Sequence, residues 1–447
     1  MTFLSALILL GILIFVHELG HFLFAKLVNV KVLKFSLGFG PRILGKKYGE
    51  TEYLLSAVPL GGYVKMLGEE QGDEIPEEDK ARAFNFQSVG KRILIVLSGP
   101  VFNILFAACV FALIAVAGVP VPYSDIGKVS PGSPAARAGL ATGDRVTAIN
   151  GASVKSWDEI ESAISKNQGR ALLFTVKRGE QKIDLQVSPE KKSEKDLFGE
   201  EKEVWDIGIS PLLYPDVGEV TKGSPADKAG IQRGDRIVEM EGAALTTWQD
   251  MTSLIHDNPG KPMRFRIKRG GGFLDLTITP EKTTLAGPGG EKKEIGLIGV
   301  RPLGNDFIKR FDPVEAIGFG IMKTWDISVL TVVSLVKLIQ RIIPAETIGG
   351  PILIFQMAGQ QAAHGLLSFF TFMAVISINL GILNFLPIPI LDGGHILFLG
   401  IEAVRRKPLS EKVMMVAQRV GLAIIITLMV FAFYNDITRL ITGKMIP

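Results

Sequence analysis

Long apolar runs at both ends of this chain limit its fold more than any other feature of the sequence. Four runs approach the roughly 20 apolar residues that a helix needs to cross a bilayer. They lie at residues 3–27, 93–119, 366–391 and 420–434, the last extending to 441 if it is to span. Between them, residues 127–309 show the short strands and turns of water-soluble sequence. We therefore predict a multi-pass α-helical membrane protein with about four transmembrane helices and a water-exposed central part.

We expect no cleaved signal peptide, no nucleic-acid partner and no intrachain disulfide. No charged residue precedes the first apolar run, and His17, Glu18 and His21 follow where small cleavage-site residues would stand. The net charge of +4 is small, and the basic residues form no stripe interleaved with aromatic side chains. Cys109 is the only cysteine in the sequence.

Basic residues gather in the two loops that connect predicted spans 1 and 2 and predicted spans 3 and 4. The positive-inside rule places such loops in the cytoplasm. The N-terminus, the central part and the C-terminus then all face the outer side of the membrane. The basic residues include Lys26, Lys31, Lys34, Arg42, Lys46, Lys47, Lys65, Lys91 and Arg92 around the first loop, and Arg405, Arg406, Lys407, Lys412 and Arg419 in the second.

The central part contains an internal repeat. Residues 129–160 realign without a gap onto residues 220–251, 91 positions later, so we predict two copies of one module. The shared pattern, GSPAxxAG followed by GDRV or GDRI, resembles the circularly permuted PDZ domain of bacterial envelope proteases. PDZ domains capture an extended peptide as an added strand. The alternative is that the modules only fill space and block access.

The remaining segments complete the predicted organisation. After the first helix, short stretches with a two-residue period, separated by Gly and Pro, predict a small membrane-associated β region. After the modules, apolar residues at helical spacing predict interfacial helices, with a fifth span as the less favoured alternative. The segments are helix 1 (1–29), the β region (30–68), a cytoplasmic loop (69–92), helix 2 (93–119), PDZ domain 1 (120–213), PDZ domain 2 (214–303), amphipathic helices (304–345), the helix 3 region (346–404), a second cytoplasmic loop (405–419) and helix 4 (420–441).

The first predicted span carries an HExxH motif formed by His17, Glu18 and His21. Four residues along a helix return to within about 40° of the starting face, so both imidazoles can reach one metal ion, with Glu18 beside the open coordination position. Ionisable groups inside an apolar helix are costly in lipid and point to function. The motif therefore predicts a hydrolytic zinc site.

A catalytic zinc usually has three protein ligands, so one ligand is missing from the motif. The segment PIPILDGGH, at the broken end of the third span, offers Asp392 and His395, and both can bind zinc. His256 belongs to the modules and His364 precedes the third span, so neither is well placed.

The order of these parts resembles the site-2 protease family over essentially the whole chain. The resemblance is carried by HExxH, by SGPVFNILFA at residues 98–107, by SINLGILNFLPIPILDGGH at residues 377–395 and by the two modules. It implies that Asp392 completes a Zn²⁺ site with His17 and His21, and that His395 has a structural or supporting role. It also implies that Glu18 acts as the catalytic base.

The resemblance further implies that Asn384 and Pro387 contact substrate. A helical substrate must be unwound before its amides can be cut, and an amide side chain can offer the freed backbone groups new partners. Strands of the β region offer a second such partner, by strand addition. The structural alternative is that Asn384 only satisfies its own broken helix.

As a site-2 protease, the chain would sit in the bacterial inner membrane with its modules and both termini in the periplasm. Its partners would be membrane lipids and single-span substrates of the anti-sigma factor type, together with remnant signal peptides. The modules would act as a size filter. The alternative class is a metal-dependent membrane transporter or peptide-sensing receptor, against which stand Glu18 and the lack of paired inverted halves.

Overall fold

The computed structural model describes residues 2–69, 75–196, 198–286 and 292–442. The chain divides into a membrane unit, Met1–Gly118 with Arg310–Pro447, and a module unit, Val119–Lys309. The helices are α1 (Thr2–Leu27), α2 (Val89–Ala117), α3 (Pro134–Ala138), α4 (Trp157–Lys166), α5 (Pro225–Lys228), α6 (Trp248–His256), α7 (Pro313–Ile339), α8 (Pro351–Ala363), α9 (Leu366–Asn384), α10 (Asp392–Arg405) and α11 (Glu411–Thr442).

The strands fall into one long pair in the membrane unit and many short strands in the module unit. They are β1 (Val32–Tyr48), β2 (Thr51–Met66), β3 (Val119–Pro122), β4 (Ile126–Val129), β5 (Arg145–Ile149), β6 (Ala152–Ser153), β7 (Leu172–Arg178), β8 (Gln181–Val187), β9 (Glu190–Lys195), β10 (Glu201–Asp206), β11 (Ile209–Pro211), β12 (Val217–Val220), β13 (Arg236–Met240), β14 (Ala243–Ala244), β15 (Met263–Arg269), β16 (Gly272–Ile278), β17 (Glu281–Ala286), β18 (Lys292–Leu297), β19 (Val300–Pro302) and β20 (Asp306–Lys309).

Five of the described helices are long and apolar enough to cross a membrane, one more than we expected. They are α1, α2, α7, α9 and α11. The additional candidate is α7, which Pro313 opens and Asp312 caps by accepting from the amides of Val314 and Glu315. Its interior also carries two exposed charged residues, Lys323 and Asp326.

Helix boundaries differ from the predicted spans mainly where apolar sequence and helix do not coincide. Helix α2 starts before residue 93 and ends at Ala117, so residue 119 belongs to β3. The predicted helix 3 region holds three helices, α8, α9 and α10, because Gly365 and the Pro387–Pro389 stretch interrupt it. Helix α11 begins within the predicted loop 405–419, since its polar first turn gave no apolar signal.

Small residues allow the membrane helices to pack closely. A β-carbon on Gly20 of α1 would lie 2.5 Å from the carbonyl oxygen of Ser98 in α2. Gly320 of α7 stands equally close to the backbone of Ala108. Such contacts replace the hydrophobic driving force that is missing between helices in lipid.

Strands β1 and β2 form a curled hairpin against the helices. Residues 34–37 of β1 pair with residues 62–65 on one side and with residues 52–55 on the other, both from β2. Val32, Phe35, Val64 and Met66 pack with Ala25 and Ile95 of the helices in one buried cluster. This support is what a two-stranded element needs, because an isolated hairpin is marginally stable.

The module unit preserves the repeat at every element. Each helix and strand from β4 to β11 has its counterpart 91 residues later, from β12 to β19; β4 starts at Ile126 and β12 at Val217. The contacts repeat as well: Arg178 binds the buried Asp144, and Arg269 binds Asp235. Each module encloses its own apolar core. Strands β3 and β20, which lie outside the repeat, pair with each other.

Candidate active site

Helix α1 places His17 and His21 one turn apart on the same face. Their Nε2 atoms are 3.3 Å from each other. The helix spans residues 2–27 without a proline, so the spacing of the motif is translated directly into this geometry. Each imidazole is mostly buried, with 12% of the side chain exposed.

Asp392 completes a triad of polar side chains with the two histidines. Its Oδ2 lies 3.1 Å from His17 Nε2, and its Oδ1 lies 3.6 Å from His21 Nε2. Asp392 is the first residue of α10. It follows residues 385–391, which separate α9 from α10 and are called the broken segment below. A β-carbon on Gly393 or Gly394 would lie 2.3 Å from a carbonyl oxygen of that segment, so the two glycines let the chain fold back tightly here.

The three donor atoms have the spacing of a zinc site. Zinc binds nitrogen and oxygen ligands at about 2.0–2.2 Å in a tetrahedron, so two ligand atoms should stand roughly 3.3 Å apart. The observed separations of 3.1, 3.3 and 3.6 Å lie around this value. Within the described residues, His17, His21 and Asp392 form the group suited to holding a metal ion.

Helix α2 supports the site from the other side. His21 Nδ1 donates to the carbonyl oxygen of Ile95 at 2.8 Å, which leaves its Nε2 lone pair free for a metal ion. A β-carbon on Gly99 would lie 2.3 Å from His21 Nε2, so only glycine leaves room for the imidazoles. The side chain of Asn103 lies against His17.

Glu18 stands beside the triad and next to the hairpin. It is within electrostatic reach of His17, His21 and Asp392, and the backbone of Val64 lies beside its carboxylate. Gly62 of the same strand leaves room for the Glu18 side chain, since a β-carbon there would lie 3.2 Å from Glu18 Cγ. The carboxylate is thus held without being one of the three candidate ligands.

The sequence as a whole matches one peptidase family. Residues 5–428 match the profile of peptidase family M50, the family of the site-2 proteases. The chain belongs to peptidase family M50. It is therefore a zinc metalloprotease of the site-2 type, and the family expected from the motifs is confirmed.

Relatives of this M50 peptidase align over nearly its full length. Regulator of sigma-E protease RseP from Escherichia coli is 38% identical and covers 98% of this chain and 98% of its own. Protease RseP from Yersinia pestis is 37% identical, with 97% and 98% covered. A solved PDZ domain of an SdrC-like protein from Listeria monocytogenes is 22% identical over 21% of this chain and 87% of its own, with a TM-score of 0.17. That last likeness is too low to assign the modules.

Several other predicted residues lie outside the triad. Of the two open candidates for the third position, Asp392 joins the histidines, whereas His395 packs its ring near Phe398. Asn384 ends α9 half-buried, and no hydrogen bond among the described residues involves its side chain. Pro387 is exposed in the broken segment.

One interaction that supports the triad was not predicted from the sequence. Arg92 of α2 binds Glu402 of α10 through two hydrogen bonds, of 2.5 and 3.2 Å. This ion pair fixes α10, and thereby Asp392 at its start, against α2. The two residues are far apart in sequence, so only the placement of ionisable groups near the ends of apolar helices hinted at it.

Proposed function

We propose that this chain is an intramembrane zinc endopeptidase that cuts the transmembrane segments of single-span proteins. The observation that supports it best is the zinc-like spacing of His17, His21 and Asp392, with Glu18 alongside and all four within the membrane unit. Ionisable groups between apolar helices are expensive to maintain in lipid and point to function.

The residues present fit a zinc ion held by His17 Nε2, His21 Nε2 and one carboxylate oxygen of Asp392. When bound, the ion would polarise the scissile carbonyl and make water a stronger nucleophile. Glu18 accepts the proton of the attacking water and delivers it to the nitrogen of the leaving amine. The backbone of Val64, beside the carboxylate, is placed to orient Glu18 for both transfers.

The substrate must be unwound close to Glu18, and two features support a place for it. An apolar cavity of about 430 Å³ lies between α1 and the hairpin, bordered by Gly11, Phe15, Leu37 and Leu55. Asn384, whose amide has no partner among the described residues, and Pro387 sit in the segment leading to Asp392. We assign the freed backbone of the substrate to Asn384 and the hairpin, and its apolar side chains to the cavity.

We place α1, α2, α9 and α11 across the membrane and count α7 as an amphipathic helix that packs along α2 and α9 without being one of the spans. Lys323 and Asp326 are exposed near the middle of α7, where a spanning helix would put them at the centre of the bilayer, at a cost of about 3 kcal/mol each. An even number of spans keeps both termini on one side. The chain then lies in the inner membrane, with its basic loops in the cytoplasm and with the modules and both termini in the periplasm.

We assign the two modules as PDZ domains that filter substrates by size. Their repeat and GSPA patterns support this assignment. The name of the relatives, regulator of sigma-E protease, supports substrates of the anti-sigma factor type. A size filter would admit them after another protease has shortened them. Remnant signal peptides are the second substrate class, and membrane lipids surround the enzyme.

The central test compares the wild type with Glu18→Gln on a single-span substrate whose outer part has been shortened. Removing the base should lower kcat by about 10²- to 10⁴-fold while the zinc content stays unchanged. Cleavage is followed by mass spectrometry, and zinc by elemental analysis. Glu77→Gln, a change at an exposed glutamate, is the matched control and should cut normally.

Two outcomes would contradict the proposal. If Glu18→Gln cuts as fast as the wild type, the base is another group. If the wild type holds zinc but cuts no single-span substrate, the proposed substrate class is wrong.

A further inference from the structure

Asn103 of α2 is buried completely beside the first histidine. Its Nδ2 lies 3.2 Å from His17 Nδ1, while its Oδ1 is buried without a hydrogen-bond partner in the structure. An unsatisfied buried oxygen is costly, so its orientation calls for a physical explanation.

The two histidines face different chemistry at Nδ1. His21 Nδ1 faces the carbonyl oxygen of Ile95, which can only accept, so this ring carries its proton on Nδ1. His17 Nδ1 faces the NH₂ group of Asn103, which can only donate, so this ring carries its proton on Nε2. From Nε2 that proton points to Asp392 Oδ2 at 3.1 Å.

A zinc ion on His17 Nε2 requires the other tautomer. Its proton must then sit on Nδ1, where the NH₂ group of Asn103 cannot accept it. Rotation of the carboxamide by about 180° exchanges its two ends and presents Oδ1 as an acceptor. The proton count of His17 is unchanged, because one N–H is lost at Nε2 and one is formed at Nδ1 by exchange through water.

We infer that Asn103 is a positioning residue whose carboxamide turns over when zinc binds and fixes His17 as the Nδ1–H tautomer. The inference rests on the proposed zinc site and concerns how that site is loaded.

Contacts from α9 hold the backbone of Asn103 in place. Ser377 of α9 donates its hydroxyl to the carbonyl oxygen of Asn103 at 2.8 Å. Gly381, one turn further along α9, faces the same part of α2, where a β-carbon would lie 3.5 Å from Asn103 Cβ. The inferred rotation therefore concerns the carboxamide alone.

The first test measures zinc affinity of the full-length protein in detergent by competition with a chromophoric chelator. Asn103→Leu, which cannot accept a hydrogen bond, should weaken zinc binding roughly 10- to 100-fold. Asn103→Asp, which always presents an acceptor, should retain affinity. Asn379→Leu removes an equivalent amide that binds Thr331 away from the site, and should leave affinity unchanged.

The second test needs no variant at Asn103 and so does not depend on how the substitutions fold. Nitrogen-15 spectra of histidine-labelled wild type should show His17 protonated at Nε2 after the metal is stripped with a chelator, and at Nδ1 after zinc is restored. Assignment uses His17→Gln.

The outcomes separate this inference from the proposed function. If the wild type binds zinc and Asn103→Leu binds it equally well, Asn103 only packs, and the inference is overturned. An Nδ1–H tautomer before and after zinc loading overturns it as well. If the wild type binds no zinc at all, the proposed zinc site itself fails.

Discussion

At the scale of single residues, the site depends on glycines, which have no side chain, as much as on its polar residues. Gly99 leaves room for both imidazoles, and Gly393 and Gly394 let the broken segment press against the start of α10. In each case a methyl group would meet backbone or ligand atoms that cannot move without shifting Asp392 or the histidines. These glycines therefore set the geometry of the triad.

Gly99→Ala should weaken zinc binding and lower cleavage together. The added β-carbon would lie 2.3 Å from His21 Nε2 and 2.9 Å from His17 Cε1, so the rings must move apart. We expect a loss of zinc affinity on the order of 10- to 100-fold, measured by chelator competition. Gly90→Ala in the same helix meets no atom within 4 Å and should behave as wild type. Normal affinity in Gly99→Ala would mean that the rings are not confined as described.

Sequence patterns alone could identify some of these residues but not others. The HExxH spacing was sufficient to place His17, Glu18 and His21, because helix geometry converts it directly into a shared face. Asp392 and His395 were equally good candidates until the family resemblance was considered, because both side chains can bind zinc and they lie about one turn apart. Ile95 and Asn103 left little sequence signal, as their roles depend on how α2 lies against α1.

At the scale of elements, a charged cluster fastens the hairpin to the membrane helices. Glu50, at the turn between β1 and β2, binds Arg82 at 2.8 Å and Lys26 of α1 at 2.5 Å. Lys31 binds Asp79 nearby at 2.5 Å. The hydrogen bond from Arg82, with the charge of Lys26, lowers the pKa of Glu50 to about 2.

The cluster should make the hairpin attachment sensitive to acid. Because the pKa of Glu50 is lower in the folded protein than its ordinary value of 4.5, its stabilisation is present above pH 4.5 and is lost as the pH falls towards 2. Glu50→Gln should therefore lower Tm in detergent at pH 6 and lower it much less at pH 3. Glu52→Gln, in a more exposed pair with Arg42, is the control. An equal effect of Glu50→Gln at both pH values would contradict this role.

Sequence patterns predicted the main elements but not all of their boundaries. The sequence repeat predicts two similar modules. The structure has two, each with its own apolar core and with a matching ion pair. Apolar runs located the membrane helices but not their ends, since hydropathy does not change where a helix breaks within lipid. The break before α10 was expected from Pro387 and Pro389, whereas the turn at Gly365 that separates α8 from α9 left no signal in the apolar pattern.

At the scale of the whole molecule, the chain has the connectivity of a protease with a removable insertion. Val119 pairs with Lys309 in the module unit, so the first and last residues of that unit are neighbours. In the membrane unit, Phe311 donates to Ala115 at 3.1 Å and Arg310 reaches Ala117 at 3.4 Å. The two ends of the membrane unit are thus close enough for a short linker to join them.

Replacing residues 119–309 with a short Gly-Ser linker should therefore preserve the membrane unit and its triad. If the modules filter by size, the shortened enzyme cuts a single-span substrate with or without its bulky outer domain, whereas the full chain cuts only the shortened form. Gel analysis of both substrates measures this, and Glu18→Gln in the shortened enzyme should cut neither. A shortened enzyme that still rejects the bulky substrate while cutting the short one would place the selection within the membrane unit. The hairpin and the segment from Asn384 to Asp392 would then be the elements that choose the substrate.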